Sequence, residues 1–429
     1  MTVRQIKREF MQQAKLGNGR AYSIFMQNPK IDFTDCITEL SLHNFSYDPQ
    51  CEGDRADYAL QFIRELEETQ RQKVFAAIKK QLEEIKITDD WDTYHLFTLA
   101  ALLSKEYDAE FGKILVKRYE NCSNDELWNF SEVSILILEG FDGMIRIARR
   151  CGKMLLCDES WWVSSSTMFC VPKMDGLEVW DRLKKLAKTD KDIASYMNGI
   201  DKTENNRNEA EEDTRTPFEQ AKYYIEERTS HVVPRRITFK LSRDELCYFA
   251  DKFKKAKTQE EKQIYIRIFD NKRVVYPYSP LDLLESFSVR KNSYFNEMLV
   301  DALEFLSAPE IRALAENALD SKEYDTFYLK LLVRNYRAGD AKKILEKIWA
   351  IKNPDSFHDA VYRLEEIYEE NITAECLEPL MFAYKKLGCG CCRNRVVELM
   401  EKSGVLSEEI RVEFQHDSAY LYDKREKRE

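Results

Sequence analysis

The sequence predicts an all-α chain built from successive helical pairs, and three observations lead there. Apolar residues recur at helical spacing along nearly the whole length. Glycine and proline number only 13 and 10 in 429 residues, too few for a chain of many tight turns. Residues 104–119 and 321–336 read as copies of one segment at an offset of 217, with nine of sixteen positions identical. Ser104-Lys105-Glu106-Tyr107-Asp108 recurs as Ser321-Lys322-Glu323-Tyr324-Asp325, and Lys113, Leu115, Val116 and Tyr119 recur as Lys330, Leu332, Val333 and Tyr336. A repeated helical unit favours a stacked array over one closed core, and 429 residues exceed the roughly 250–300 that a single core supports.

The helices follow from local signals. Tyr107, Phe111, Ile114, Leu115 and Tyr119 fall on one helical face, as do Tyr324, Tyr328, Leu331, Leu332 and Tyr336. Ser123 and its counterpart Asp340 suit the start of a following helix. Further starts are marked by Ser or Thr three residues before Glu or Gln: Thr2/Gln5, Ser123/Glu126, Thr216/Glu219, Ser242/Glu245, Thr258/Glu261 and Ser307/Glu310, with Pro217 at a first helical position. Asp89, Asp90 and Asp92 around Trp91 suit a helix start better than an acid/base pair. Toward the carboxyl end three apolar faces follow in succession: Ile344, Leu345, Ile348 and Trp349, then Val361, Leu364 and Ile367, then Leu377, Leu380, Met381 and Tyr384.

Two stretches interrupt the rhythm. Residues 160–174 contain Trp161, Trp162 and three consecutive serines. Residues 201–215 carry six acidic and three basic residues with Ala210 as the one apolar residue, and the Pro-broken, β-branched run 231–239 reads as an extended crossing. The expected organisation is therefore a helical half over 1–198, an acidic linker over 199–216 and a second helical half over 217–429, with irregular insertions near 160–174 and 199–240.

At its carboxyl end the chain resembles bacterial HEAT-repeat proteins. The resemblance rests on Cys389-Gly390-Cys391-Cys392-Arg393, then Val396-Val397-Glu398-Leu399, Gly404-Val405-Leu406 and Asp417-Ser418, and covers about 30 residues. It implies a right-handed α-α superhelix, a HEAT-like or armadillo-like solenoid, whose concave face would take a protein or peptide.

Chemistry-bearing patterns are sparse. The histidines His43, His95, His231, His358 and His416 show no paired-ligand spacing, and neither a third glycine after Gly17-x-Gly19 nor a P-loop is present. No catalytic residue, metal site or cofactor is expected. Cys389 and Cys392 form a C-x-x-C at a helix start, where the dipole favours thiolate, so they are the redox candidates; zinc would need further ligands, with His416 and Cys376 the ones to recruit. Arg149, Arg150, Arg235 and Arg236, with Trp161 and Trp162 to stack on bases, are the ligand-binding candidates of a nucleic-acid reading that follows HEAT-like DNA glycosylases, with Asp158 near Trp161 as its acid. The net charge of −10 makes that reading second to protein binding. Eleven cysteines without a signal-peptide core fit reduced thiols in the cytoplasm, and no apolar run approaches the ~20 residues a membrane helix needs.

Overall fold

The computed structural model describes residues 1–88, 90–127, 130–158, 161–208, 214–227, 232–270 and 274–428. Asp89, residues 209–213 of the expected linker and His231 lie outside them. Among the described residues every regular element is helical and none is a strand. No described helix is long and apolar enough to cross a membrane.

The chain divides into two compact units: Met1–Glu212 with Gly388–Cys391 and Ser407–Glu429, and Asp213–Leu387 with Cys392–Leu406. In the first unit the apolar stripes seen in the sequence become one core. Phe10 packs on Phe33 at 4.8 Å and edge-on against Phe62 at 5.3 Å, while Phe97 and Tyr119 close on Phe130 at 4.7 and 5.0 Å. Helix Trp91–Glu106 packs on Ala56–Glu65, Glu110–Asn121 and Glu132–Glu139. Phe141–Cys157 then packs on Glu132–Glu139 and on Lys191–Asn208. The last pair touches backbone to backbone: a Cβ on Gly152 would sit 1.8 Å from the Asp192 carbonyl oxygen, so glycine sets the spacing of these helices. The carboxyl-terminal helix Ser418–Arg428 returns to the first helices of this unit, with the Ser418 amide donating to Gly17 O at 2.8 Å and Arg425 bonding Asp54 and Asp57.

In the second unit helix Pro309–Asp320 buries Ile311, and helices Asp340–Trp349, Pro354–Glu370 and Leu377–Lys386 bury Ile344, Ile348, Val361, Leu364, Ile367, Leu380 and Tyr384, which belong to the faces expected from periodicity. Trp349 and Leu377 depart from that pattern and are exposed.

Capping chemistry fixes the helix starts as expected at Thr2, Thr216, Ser242 and Thr258, each a reciprocal capping box, and the Ser123 and Glu126 side chains bond each other's amides in the same way. Ser307/Glu310 does not form one. Pro309 opens that helix after Ala308, whose amide donates to Asn335 Oδ1 at 3.2 Å instead.

The repeated segment shares letters without sharing conformation. Its first copy runs from the end of helix Trp91–Glu106 through a turn into helix Glu110–Asn121, whereas the second winds as the 3₁₀ helix Thr326–Leu332. In that second copy Lys347 Nζ donates to the carbonyls of Ala318, Ser321 and Tyr324 and holds the preceding turn in place. Asp340 does stand at a helix start, Asp340–Trp349, as expected, but unlike Ser123 it is buried and bonds the Arg312 guanidinium and the Arg337 amide.

The interruptions also take definite form. Residues 160–174 contain the 3₁₀ helix Ser165–Cys170. Helix Lys191–Asn208 runs into the stretch expected to be a linker, and the 231–239 run closes as a short helix, Arg235–Thr238, after Pro234.

Candidate functional site

The sequence candidates Trp161 and Trp162 lie in the first unit on a cavity of about 310 Å³. Three elements build it. Helix Glu132–Glu139 supplies Glu132 at its first position, helix Phe141–Cys157 supplies Cys151, and the segment through Ser165–Cys170 supplies Thr167 and Cys170. Tyr94, Phe130 and Tyr196 complete the aromatic lining with the two tryptophans. Trp161 is buried, whereas Trp162 and Val133 are exposed at the rim.

Glu132 keeps some surface in the cavity, yet its carboxyl is crowded by protein. Cys151 Sγ donates to Oε1 at 3.5 Å and Thr167 Oγ1 donates to Oε2 at 3.2 Å. Burial pushes the Glu132 carboxyl above the usual carboxylate range, and those two bonds offset only part of the shift. The neighbouring Cys151 thiol and Tyr196 phenol are raised as well, again chiefly by burial. A folded-state pKa above the ordinary 4.5 means that the native protein binds more protons than the unfolded chain between those values. Native stability is therefore lost as pH rises through that window. Glu132→Gln removes the titration, so its stability relative to the wild type should rise between pH 4 and pH 7.5 in paired urea melts; a difference independent of pH would contradict a desolvated Glu132.

Two of the arginine candidates, Arg149 and Arg150, are already partnered. A recess of about 700 Å³ is lined by Arg146, Arg149, Arg150 and Lys153. Arg149 pairs with Asp190 at 2.7 Å, Arg146 with Glu139 at 2.8 Å and with Glu120, and Lys153 approaches Asp192 at 3.8 Å. Arg150 donates to the carbonyls of Tyr119 and Cys122, the latter at 2.6 Å. Phosphates would have to displace these partners, which weakens the duplex reading. Arg235 and Arg236 are exposed on the short helix of the second unit, and Asp158 is exposed.

The C-x-x-C does stand at a helix start. Helix Gly390–Lys402 begins just after Cys389, which is buried, and carries the half-buried Cys392 in its first turn. In the second unit Cys392 Sγ lies 3.3 Å from His358 Nε2. His358 comes from helix Pro354–Glu370, and no spacing in the sequence links it to Cys392. The neighbouring Cys391 is a poor thiolate, because a hydrogen bond with Cys389 and burial push its thiol well up. All eleven cysteines are free thiols. The ligands imagined for zinc go elsewhere: Cys376 is buried in the second unit, and His416 stacks on Tyr22 at 3.8 Å and bonds Gln61 in the first.

Of the other histidines, His43 pairs with Asp92 at 2.8 Å. The buried His95 has Nε2 3.0 Å from Leu40 O and is held below its ordinary pKa by burial. Asp90 caps its helix through the Thr93 amide at 3.0 Å, as an acidic residue at a helix start should. Set against family models, curated proteins and solved structures, the chain shows no match.

Proposed function

We propose that the protein is a non-catalytic binding scaffold of stacked helical pairs, HEAT-like in kind, working in a reducing cytoplasm and taking a peptide segment of a partner protein on residues 156–177. One observation carries the reading. Leu156, Trp162, Phe169 and Leu177 are 61, 53, 65 and 70% exposed within that single stretch. Scattered apolar residues on a surface are ordinary, but four large ones within 22 residues of chain, one of them Trp162 on the cavity, are the kind of anchor a hot-spot surface requires. The Phe169 ring lies directly over Gly176, where a Cβ would meet it at 2.4 Å, so this ring is braced against backbone and loses little entropy on binding. Packing of each helix in this region on near neighbours in the chain supports the helical-repeat part of the reading. The matching ligand is a short segment with aromatic or aliphatic anchors. Peptides selected from a display library on the full-length protein should lose about tenfold or more in affinity on a Trp162→Ser/Phe169→Ser double variant. Selected peptides that bind this variant as well as the wild type would contradict the reading.

The 3.3 Å contact between Cys392 and His358 favours a second reading, a thiol-dependent role for Cys392. An imidazole beside a sulfur in the first turn of a helix stabilises thiolate. Iodoacetamide at neutral pH should then label Cys392 about tenfold faster than it does in His358→Ala. Equal, slow labelling in both returns Cys392 to packing, and stoichiometric zinc in the purified protein would recast the pair as ligands.

A further inference from the structure

The cavity at Trp162 joins aromatic walls to an enclosed acid, Glu132. Tyr94, Phe130, Trp161, Trp162 and Tyr196 line it, and Glu132 brings the carboxyl. Among the described residues its lining contains no lysine, arginine or histidine. An anion would therefore meet a carboxyl with no described cation in the lining to offset it, whereas a cation meets aromatic side chains and an acid. Alkylated ammonium groups suit such walls, because the ring quadrupole attracts the charge without asking the ligand for a hydrogen-bond donor. Their hydration is also weaker than that of a primary ammonium, so entering the cavity costs less. A volume of about 310 Å³ stands at the small end of ligand pockets and suits a trimethylammonium head with a short stem.

We propose that this cavity binds an alkylated ammonium group, carried either by a methylated lysine side chain or by a free quaternary amine. Trp161, Trp162, Tyr94 and Tyr196 form the cage and Glu132 supplies the counter-charge. In the complex Glu132 is ionised, and its carboxylate keeps the Thr167 hydroxyl and the Cys151 thiol as donors. The inference uses the face assigned above to a peptide but does not depend on the peptide, since a free cation suffices.

Isothermal titration of the full-length protein with tetramethylammonium, choline and Nα-acetyl-trimethyllysine amide tests it. Saturable binding of at least one is expected, weakened about tenfold or more in Glu132→Gln by loss of the counter-charge. Trp162→Ala alters an exposed residue and serves as the second variant, with a loss of about threefold expected; it decides the matter should Glu132→Gln not fold. Tighter binding of the lysine derivative identifies a protein side chain as the source, and tighter binding of choline a free amine. No saturable binding of any of the three, or unchanged affinity in the folded Glu132→Gln variant, overturns the proposal. Failure of the peptide selection leaves this titration unaffected, and failure here leaves the selection unaffected.

Discussion

Arg425→Met should destabilise the first unit by about 3–5 kcal/mol, the cost expected when one partner of a buried ionic cluster is removed. Arg425 is buried and engages two acids at once: Asp54 bidentately, at 3.1 and 2.8 Å, and Asp57 at 2.9 Å. The two acids respond differently. Burial raises both, but Arg425 outweighs it at Asp54, whose carboxyl is held below the usual range, whereas Asp57 makes a single bond, feels Asp54 beside it and stays raised. Methionine keeps the stem and removes the charge, which takes the guanidinium from two largely enclosed carboxylates. A depressed pKa contributes stability above the ordinary value of 3.8 and loses it as pH falls through the folded value. Because the Asp54 contribution exists only while Asp54 is ionised, the gap between wild type and variant should close as pH is lowered through that range. Urea unfolding at pH 7 and at pH 4 checks both claims, and a loss below about 1 kcal/mol at pH 7 would mean that the cluster is solvated.

Arg312→Met should cost the second unit a similar amount, about 3–5 kcal/mol. The guanidinium spends nearly every donor on fixed partners: Nη2 on Asp340 Oδ1 at 2.8 Å, Nη1 on Asp340 and on Asn335 O at 2.9 Å, and Nε on Glu316 at 2.8 Å. Asn335 in turn holds the Ala308 amide and the Leu306 carbonyl, so the loss reaches the start of helix Pro309–Asp320. Asp340→Asn tests the same cluster from the other side. It keeps the shape and removes the charge, and it should cost less than Arg312→Met because the guanidinium retains Glu316 and Asn335 O. Chemical denaturation followed by helical circular dichroism measures both variants. A larger loss in Asp340→Asn would contradict the placement of Arg312.

Much of the fold was legible because helix starts are local. A threonine or serine and the glutamate three residues on meet in the first turn whatever else the chain does, so Thr216 and Ser242 could be read directly. Ser307 failed because the helix starts one residue later, with Ala308 at the cap and its amide held by Asn335, a residue that sequence spacing does not bring near. The repeated segment failed for the same kind of reason. Its sixteen letters do not include Lys347, whose three carbonyl contacts hold the turn before the second copy. Within the candidate site Trp161 and Trp162 stood out as adjacent aromatics. Glu132, Cys151 and Tyr196 did not, because three separate elements carry them and only packing brings them together. His358 was illegible in the same way, 34 residues from the cysteine it meets.

Binding on the surface over residues 156–177 is the central claim, and peptide selection with the Trp162→Ser/Phe169→Ser variant measured alongside tests it most directly. The account predicts selected segments with aromatic or aliphatic anchors whose affinity drops about tenfold or more on the variant while its unfolding midpoint stays that of the wild type. Selected segments that bind both proteins alike, or no selected segment together with tight duplex binding at ~50 mM salt, would contradict it.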